Sequence, residues 1–385
     1  MQPGELYRWD LEGPGARRGR HAAGAAPEVD GVDGTAGSVA PPAATDATAA
    51  ADRVPADAAP DRAGTTAPDP TPAARASLTP DAVADPQRTP RTIDDARAGV
   101  LVHAMRGGMD AGSAGSLLAA HLLASHPTTR VATFDVDELM DYRSRRPTMT
   151  FTSPSYTGYD DPVLALDHVA TPDGGLLLLH GPEPDLRWET FTDAVEEIVE
   201  RLGVSTTVGV HGIPMGVPHT RPIGVTAHAT REDLVDPQAD IFGTVQIPGS
   251  ASALLEYRLG QRGRDAMGYA VHVPHYLSQA SYPAAASELL RTVARVTGYD
   301  LDPSALDEAA AGVAVEVERQ IEESPDVSAL VSALETQYDA YQEASGRSLL
   351  ASADVPSADE LGAEFEAFLA RQVESDRGDE DRPGR

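Results

Sequence analysis

The chain has 385 residues, a formal net charge of −30, no cysteine and no lysine, so every basic side chain other than histidine is an arginine. Without cysteine there are no disulfides and no thiolate-held zinc or iron–sulfur sites, and the redox compartment is left open. The acid surplus argues against nucleic acid or anionic membrane as a partner, since both reward basic patches, and no apolar run reaches the roughly 18 to 20 residues that cross a bilayer.

Residues 1–95 are dominated by Ala, Pro, Gly, Asp and Thr and hold no sustained period of 2 or 3.6 residues. A segment so poor in large apolar side chains does not offset its ordering entropy, and it is expected to be disordered. Leu6, Tyr7 and Trp9 form a local exception, a short aromatic cluster able either to dock on the body or to fray. The start, MQPGELYRWDLEG, lacks the basic-then-apolar order of a secretory leader, so a cytoplasmic protein is expected.

Order is expected from about residue 96. The apolar AGVLVHAM reads as a strand, RGGMDAGSAGS as a glycine-rich turn, and Leu117, Leu118, His121 and Leu122 as a helix: the first half of a βαβ unit. Asp110 or Ser113 would cap that helix. Backbone N–H groups at such a start can hold an anion, but the spacing matches neither GxGxxG nor GxxxxGK[ST], which favours a tight turn. A strand over Thr129–Asp135 leads into an acidic helix start, and Arg143, Arg145 and Arg146 follow. Three guanidinium groups within four positions either pair with the nearby acids or recognise an acidic partner surface.

Further strands are expected at Pro162–Val169, Gly175–His180, Thr206–Ile213, Ile223–His228, Thr244–Ile247 and Ala266–Val273, with helices at Leu186–Leu202, Ser250–Leu259 and Pro283–Val296. Strands alternating with helices of this length predict an α/β fold over residues 96–300, a mainly parallel sheet sandwiched by helices. The proline-broken loop His211–Arg221 leaves a buried strand there, and ligands of open α/β sheets bind at that edge. It carries His211, His219, Thr220 and Arg221; His180 with Glu183, and His272 with His275 and Tyr276, end other strands. These groups are the candidate ligand- or partner-binding set, with Asp110 and the three arginines. If the protein is an enzyme, His219, His275 and Glu183 are the candidates for moving a proton. The alternative for each histidine is a strand-end cap. The chain has no HExxH, no GxSxG and no paired-carboxylate signature, and its scattered histidines form no compact ligand motif, so neither metal nor cofactor is expected.

From Leu301 the pattern is helical. Leu306, Ala310, Val313, Val317 and Ile321 mark one apolar stripe, and Val327, Leu330, Val331, Leu334, Tyr338 and Tyr341 a second, entered through Pro303 and Pro325; together they read as a helical hairpin. A third helix is expected from the capping box Ser357–Glu360, carrying Leu361, Phe365, Phe368 and Leu369. This extension, 301–372, and the tail, 373–385, hold 21 acids against 6 arginines, half of the net charge. The tail is expected to be disordered.

The strings DAGSAGSLLAAHLL, VATFDVDELMDYRSRRPTMTF, GPEPDLRWE, HGIPMGVPHTRPIGVTAH, PGSASALLEYRLG and GYAVHVPHYLSQASYPAAA, in this order, resemble the actinobacterial branch of the proteasome assembly chaperone 2 family over about residues 98–345. The resemblance implies an α/β sandwich similar to nucleoside phosphorylases and hydrolases, a homo-oligomer, commonly a trimer, and proteasome α-type subunits as partners. Some bacterial members carry the label of ATP-grasp ligases; this chain has no glycine-rich loop with the lysines such a site uses. Some relatives dock on proteasome rings through a hydrophobic–tyrosine–any residue tail, whereas this chain ends in Pro383, Gly384 and Arg385, so that docking mode is not expected. Two functions follow as expectations. One is a non-catalytic, proteasome-assembly-chaperone-like binding protein. The other is a phosphorylase- or hydrolase-type enzyme acting on a small anionic or nucleoside-like substrate at the strand-end rim, with Arg221 holding the anion.

Overall fold

In a computed structural model that describes residues 2–13, 89–236 and 244–347, the run Val100–Arg106 forms β2, the strand on which the rest is built. Val100, Val102 and Ala104 enter one apolar core while Leu101 and Met105 enter another. A strand buried on both faces has no polar alternation, which is why it reads as one continuous apolar run. Two layers of helices supply the covers. On one face lie α1 (Ala114–Ser125) and α5 (Pro283–Thr297), on the other α3 (Trp188–Leu202) and α4 (Ala251–Gln261). A single-turn helix, α2 (Val136–Leu139), is capped by Asp135, whose carboxylate accepts from the Asp137 N–H at 3.1 Å.

The other strands are β1 (Tyr7–Trp9), β3 (Thr128–Phe134), β4 (Met149–Thr152), β5 (Ser155–Tyr159), β6 (Ala165–Thr171), β7 (Gly174–Pro182), β8 (Thr206–Met215), β9 (Val225–Ala229) and β10 (Asp265–Pro274). Eight of them form one sheet in the order β1-β3-β6-β7-β2-β8-β10-β9. The fold is α/β, and its sheet is mixed. The central strands β7, β2, β8 and β10 run parallel, while β1, β3 and β6 on one side and β9 on the other join antiparallel.

One region departs from the expected segmentation, and two elements differ from those expected. Residues 2–13 are built into the fold: Leu6 is fully buried, β1 pairs with β3, and Tyr7 stacks edge-on to Trp9 at 5.3 Å and against Phe134 at 5.7 Å. Burial of these large side chains supplies what the rest of the N-terminal composition lacks. The expectation of disorder for 14–88 lies outside the described residues. The stretch 244–247, expected as a strand, pairs with no strand among the described residues. Unexpectedly, β4 and β5 make a separate two-stranded hairpin through a cis Ser153–Pro154 peptide.

The chain divides into two units, residues up to Ala329 and residues from Leu330. In the first, α6 (Ser304–Glu323) buries Leu306 and Val317 from the expected stripe. The helix α7 (Pro325–Arg347) runs into the second, where Val331 and Leu334 are buried. The third helix expected from Ser357, and the tail, lie outside the described residues. No described helix is long and apolar enough to cross a membrane.

Candidate functional site

The chain leaves β2 through α1 on one face and returns at β3 on one side; it leaves β7 through α3 on the opposite face and returns at β8 on the other side of β2. The two loops therefore part between the carboxyl ends of β2 and β7. That is the topological switch point of an open α/β sheet, where a crevice forms. A cleft of ≈ 870 Å³ lies there, lined by Arg106 to Asp110, Ser113 and Ser116, by Ser144 to Arg146, by Glu183 and Asp185, and by Trp188 and Ser250.

Three of its acidic side chains, Asp110, Glu183 and Asp185, are tied down, while Asp160 and Asp161 on the same lining are exposed. The Asp110 carboxylate accepts from the N–H groups of Gly115 (2.8 Å) and Ser116 (3.0 Å), from the Ser116 hydroxyl (2.7 Å), and from the Gly212 N–H of β8 (3.2 Å). Asp110 thus caps α1 as expected, and its carboxylate fills the position an external anion would take. Ser113, in the left-handed region at φ 53°, makes no cap hydrogen bond. Glu183, only 8% exposed, accepts from the Gly108 N–H at 3.0 Å and from the Ala251 N–H at the start of α4 at 2.6 Å. It stitches the β2 turn to α4, and only glycine fits at 107, where a Cβ would meet Glu183 Oε2 at 1.7 Å. Asp185 pairs with Arg145 at 2.5 Å and accepts from the Asp141 N–H at 2.9 Å; Arg145 also donates to the Arg106 and Glu183 carbonyls.

The three arginines of the 143–146 cluster separate. Arg145 pairs inside the molecule, but Arg143 and Arg146 are exposed and make no ion pair among the described residues. Arg106, exposed on the cleft wall, makes none either.

The histidines of the expected rim lie elsewhere. His211 in β8 and His103 in β2 face α4, and burial, aided by the neighbouring His228, pushes both imidazoles down to about 4. They are neutral at pH 7. His228 itself, 6.4 Å from the His211 ring, binds Glu256 of α4 at 2.8 Å. Each of two rings sits opposite a glycine in register on the next strand, His103 against Gly209 and His228 against Gly268. His272 Nε2 lies 2.8 Å from the Thr226 hydroxyl, and burial lowers its basicity. Tyr276 accepts the His219 backbone N–H at 2.9 Å, which leaves its own proton aimed at His219 Nδ1, 2.7 Å away. His275 is exposed on a short turn, its ring 5.6 Å from Tyr276. Arg221 donates to the Thr220 hydroxyl at 3.4 Å. His180 Nε2 meets Asp167 at 2.7 Å; burial works to raise that carboxyl, but bonds from His180 and Arg130 hold it below the usual range.

Asp110, Glu183, Arg145 and Arg146 therefore meet in one cleft, and His211, His219, Thr220, Arg221, His272, His275 and Tyr276 do not line it. Arg106, Trp188, Ser250 and the β4–β5 hairpin went unnoticed in the sequence. The hairpin had a signal: Met149, Phe151, Tyr156 and Tyr159 flank Ser153–Pro154 with near period-two spacing. No group of three or more His, Asp or Glu residues able to hold a metal occurs among the described residues.

The PAC2 family model matches residues 104–321. A Mycobacterium tuberculosis protein of unknown function, Rv2714, is 50% identical, covers 66% of this chain and 87% of its own, and superposes with a TM-score of 0.63. A Corynebacterium glutamicum protein of unknown function is 40% identical over 64% of this chain and 92% of its own, TM-score 0.60. Another M. tuberculosis protein, Rv2125, described as a proteasome-assembly chaperone homologue, is 27% identical over 60% of this chain and 99% of its own, TM-score 0.55. No curated protein matches the chain.

Proposed function

The chain belongs to the PAC2 family, and from that premise we propose that it is a proteasome-assembly-chaperone-like binding protein that performs no catalysis. The observation that carries the second half is the state of the candidate acids and bases. Asp110 and Glu183 are consumed by backbone N–H groups, Asp185 by Arg145, and His219 is held by Tyr276, while His275 is exposed on a turn outside the cleft. General acid–base work needs a group whose proton-transfer site faces the substrate, and the cleft carboxylates Asp110, Glu183 and Asp185 instead complete local hydrogen-bonding requirements of the fold, while the two histidines lie outside the cleft. The partner proposed is the one the family resemblance implies, proteasome α-type subunits, and the proposal includes a homo-oligomeric, cytoplasmic protein that needs no cofactor.

The test is sedimentation velocity of the full chain mixed with purified α-type proteasome subunits. A new boundary heavier than either component is expected; two unchanged boundaries at micromolar concentrations would sink the proposal.

One observation favours a second reading. The switch-point cleft is of small-molecule size and combines the Arg106 and Arg146 guanidiniums with serine hydroxyls, as a site for a small anionic or nucleoside-like substrate would. A thermal-shift screen of nucleosides and phosphorylated metabolites addresses it, since a ligand of the folded state must raise its stability. His219→Ala then separates an enzyme, which loses turnover, from a binding protein, which does not.

A further inference from the structure

We propose that the β4–β5 hairpin, with Arg143 and Arg146 beside it, is the docking surface for the partner, and that the partner presents an apolar patch bordered by acidic side chains. The inference rests on the protein-binding reading above and names where that binding occurs.

The hairpin joins no other sheet, and every residue of β4 is exposed. Two-stranded hairpins are marginal in water unless something packs on them. This one nevertheless displays large apolar side chains: Phe151 is 57% and Tyr156 69% exposed, their rings in edge contact at 5.2 Å, with Met149 and Tyr159 half exposed beside them. An aromatic cluster of this kind in solvent marks an interaction site, and aromatic and arginine side chains are the residues that anchor interfaces.

Charge selects the occupant. Several other surface arginines are matched to carboxylates, Arg258 to Glu189, Arg262 to Asp193 and Glu196, and Arg264 to Glu200. In a chain with a net charge of −30, two exposed guanidinium groups without an ion pair, just before an exposed apolar hairpin, are complementary to acidic groups around an apolar patch, and the exposed Asp160 and Asp161 that follow the hairpin line the cleft. A second copy fits less well. Pairing hairpin on hairpin brings the arginines of both copies together.

The test measures binding of the full chain to immobilised α-type proteasome subunits at two ionic strengths, for wild type, Phe151→Ser/Tyr156→Ser, Arg143→Glu/Arg146→Glu, and the control Arg319→Glu on α6. All substituted side chains are exposed, and circular dichroism checks that the variants fold. Loss of the aromatic anchors is expected to weaken binding at least about tenfold. Charge reversal is expected to slow association and remove most of the salt dependence, while the control binds like wild type. Wild-type binding with undiminished binding by the aromatic variant overturns the hairpin assignment and leaves the proposed function standing. A wild type that does not bind overturns both. Self-association of the wild type that Phe151→Ser/Tyr156→Ser disperses assigns the hairpin to a second copy and overturns the acidic partner.

Discussion

Removing the Glu183 carboxylate separates a structural role from a catalytic one. In Glu183→Ala the N–H groups of Gly108 and Ala251, now satisfied at 3.0 and 2.6 Å, lose their acceptor. Hydrogen bonds to a charged group contribute about 1.5–3 kcal/mol each. The open cleft admits water to one donor, so the loss belongs near the lower end, about 3 kcal/mol. For a unit of this size that corresponds to a fall in Tm of roughly 6–12 °C. Glu183→Gln keeps one acceptor but turns an amide N–H toward a donor, and about half the loss is expected. Calorimetry of the full chain reads both. A Glu183→Ala chain as stable as wild type, or more so, would refute the stitching role, because stabilisation on removal is the signature of a group kept for function at a cost to the fold.

Other perturbations follow from the same contacts. Folded His103 and His211 titrate near 4 against 6.5 for a free imidazole, so the unfolded chain takes up more protons between those values. Their contribution is complete above pH about 6.5 and is lost as pH falls toward about 4, with a slope of up to about 1.4 kcal/mol per pH unit for each histidine; urea unfolding across that range measures it, and His103→Leu should flatten the slope. Gly209→Ala places a Cβ 2.7 Å from the buried His103 ring and should cost about 1–3 kcal/mol, whereas Gly268→Ala meets the exposed, movable His228 and should cost less; equal losses would contradict this. Leu6→Ala, at a fully buried site, should cost about 2–5 kcal/mol, and no loss of Tm would mean that the N-terminal strand is not part of the folded unit.

What the sequence made legible was what local pattern encodes. The alternation of apolar runs with amphipathic helices such as α3 and α5 gave the class, and Thr206 to Ile213 and Ala266 to Val273 gave the parallel centre. Strand order is a different matter, because it depends on pairings between distant residues. The cleft between β2 and β7 brings Arg106 together with Glu183, 77 positions apart, and nothing near either residue announces the other. The rim built on His211 to Arg221 was a fair use of the strand-end rule, but the switch point lies between β7 and β2, whereas that segment ends β8 on the far side of β2. His211, a candidate in the sequence, lies within β8, half-buried beside His103, whose ring faces Gly209 on that strand, so in space it reads as packing. Tyr7 and Trp9 show the reverse: an aromatic cluster in a poor composition was a strand.

The central claim, that this protein assists proteasome assembly, is tested most directly by the assembly reaction itself. Proteasome α- and β-type subunits are mixed at a concentration where core particles form slowly, and the particle yield is followed with and without the full chain. The account predicts that the chain enters an intermediate containing α-type subunits and raises the rate or yield of core particles. An unchanged time course, with the chain sedimenting apart from every intermediate, would contradict it.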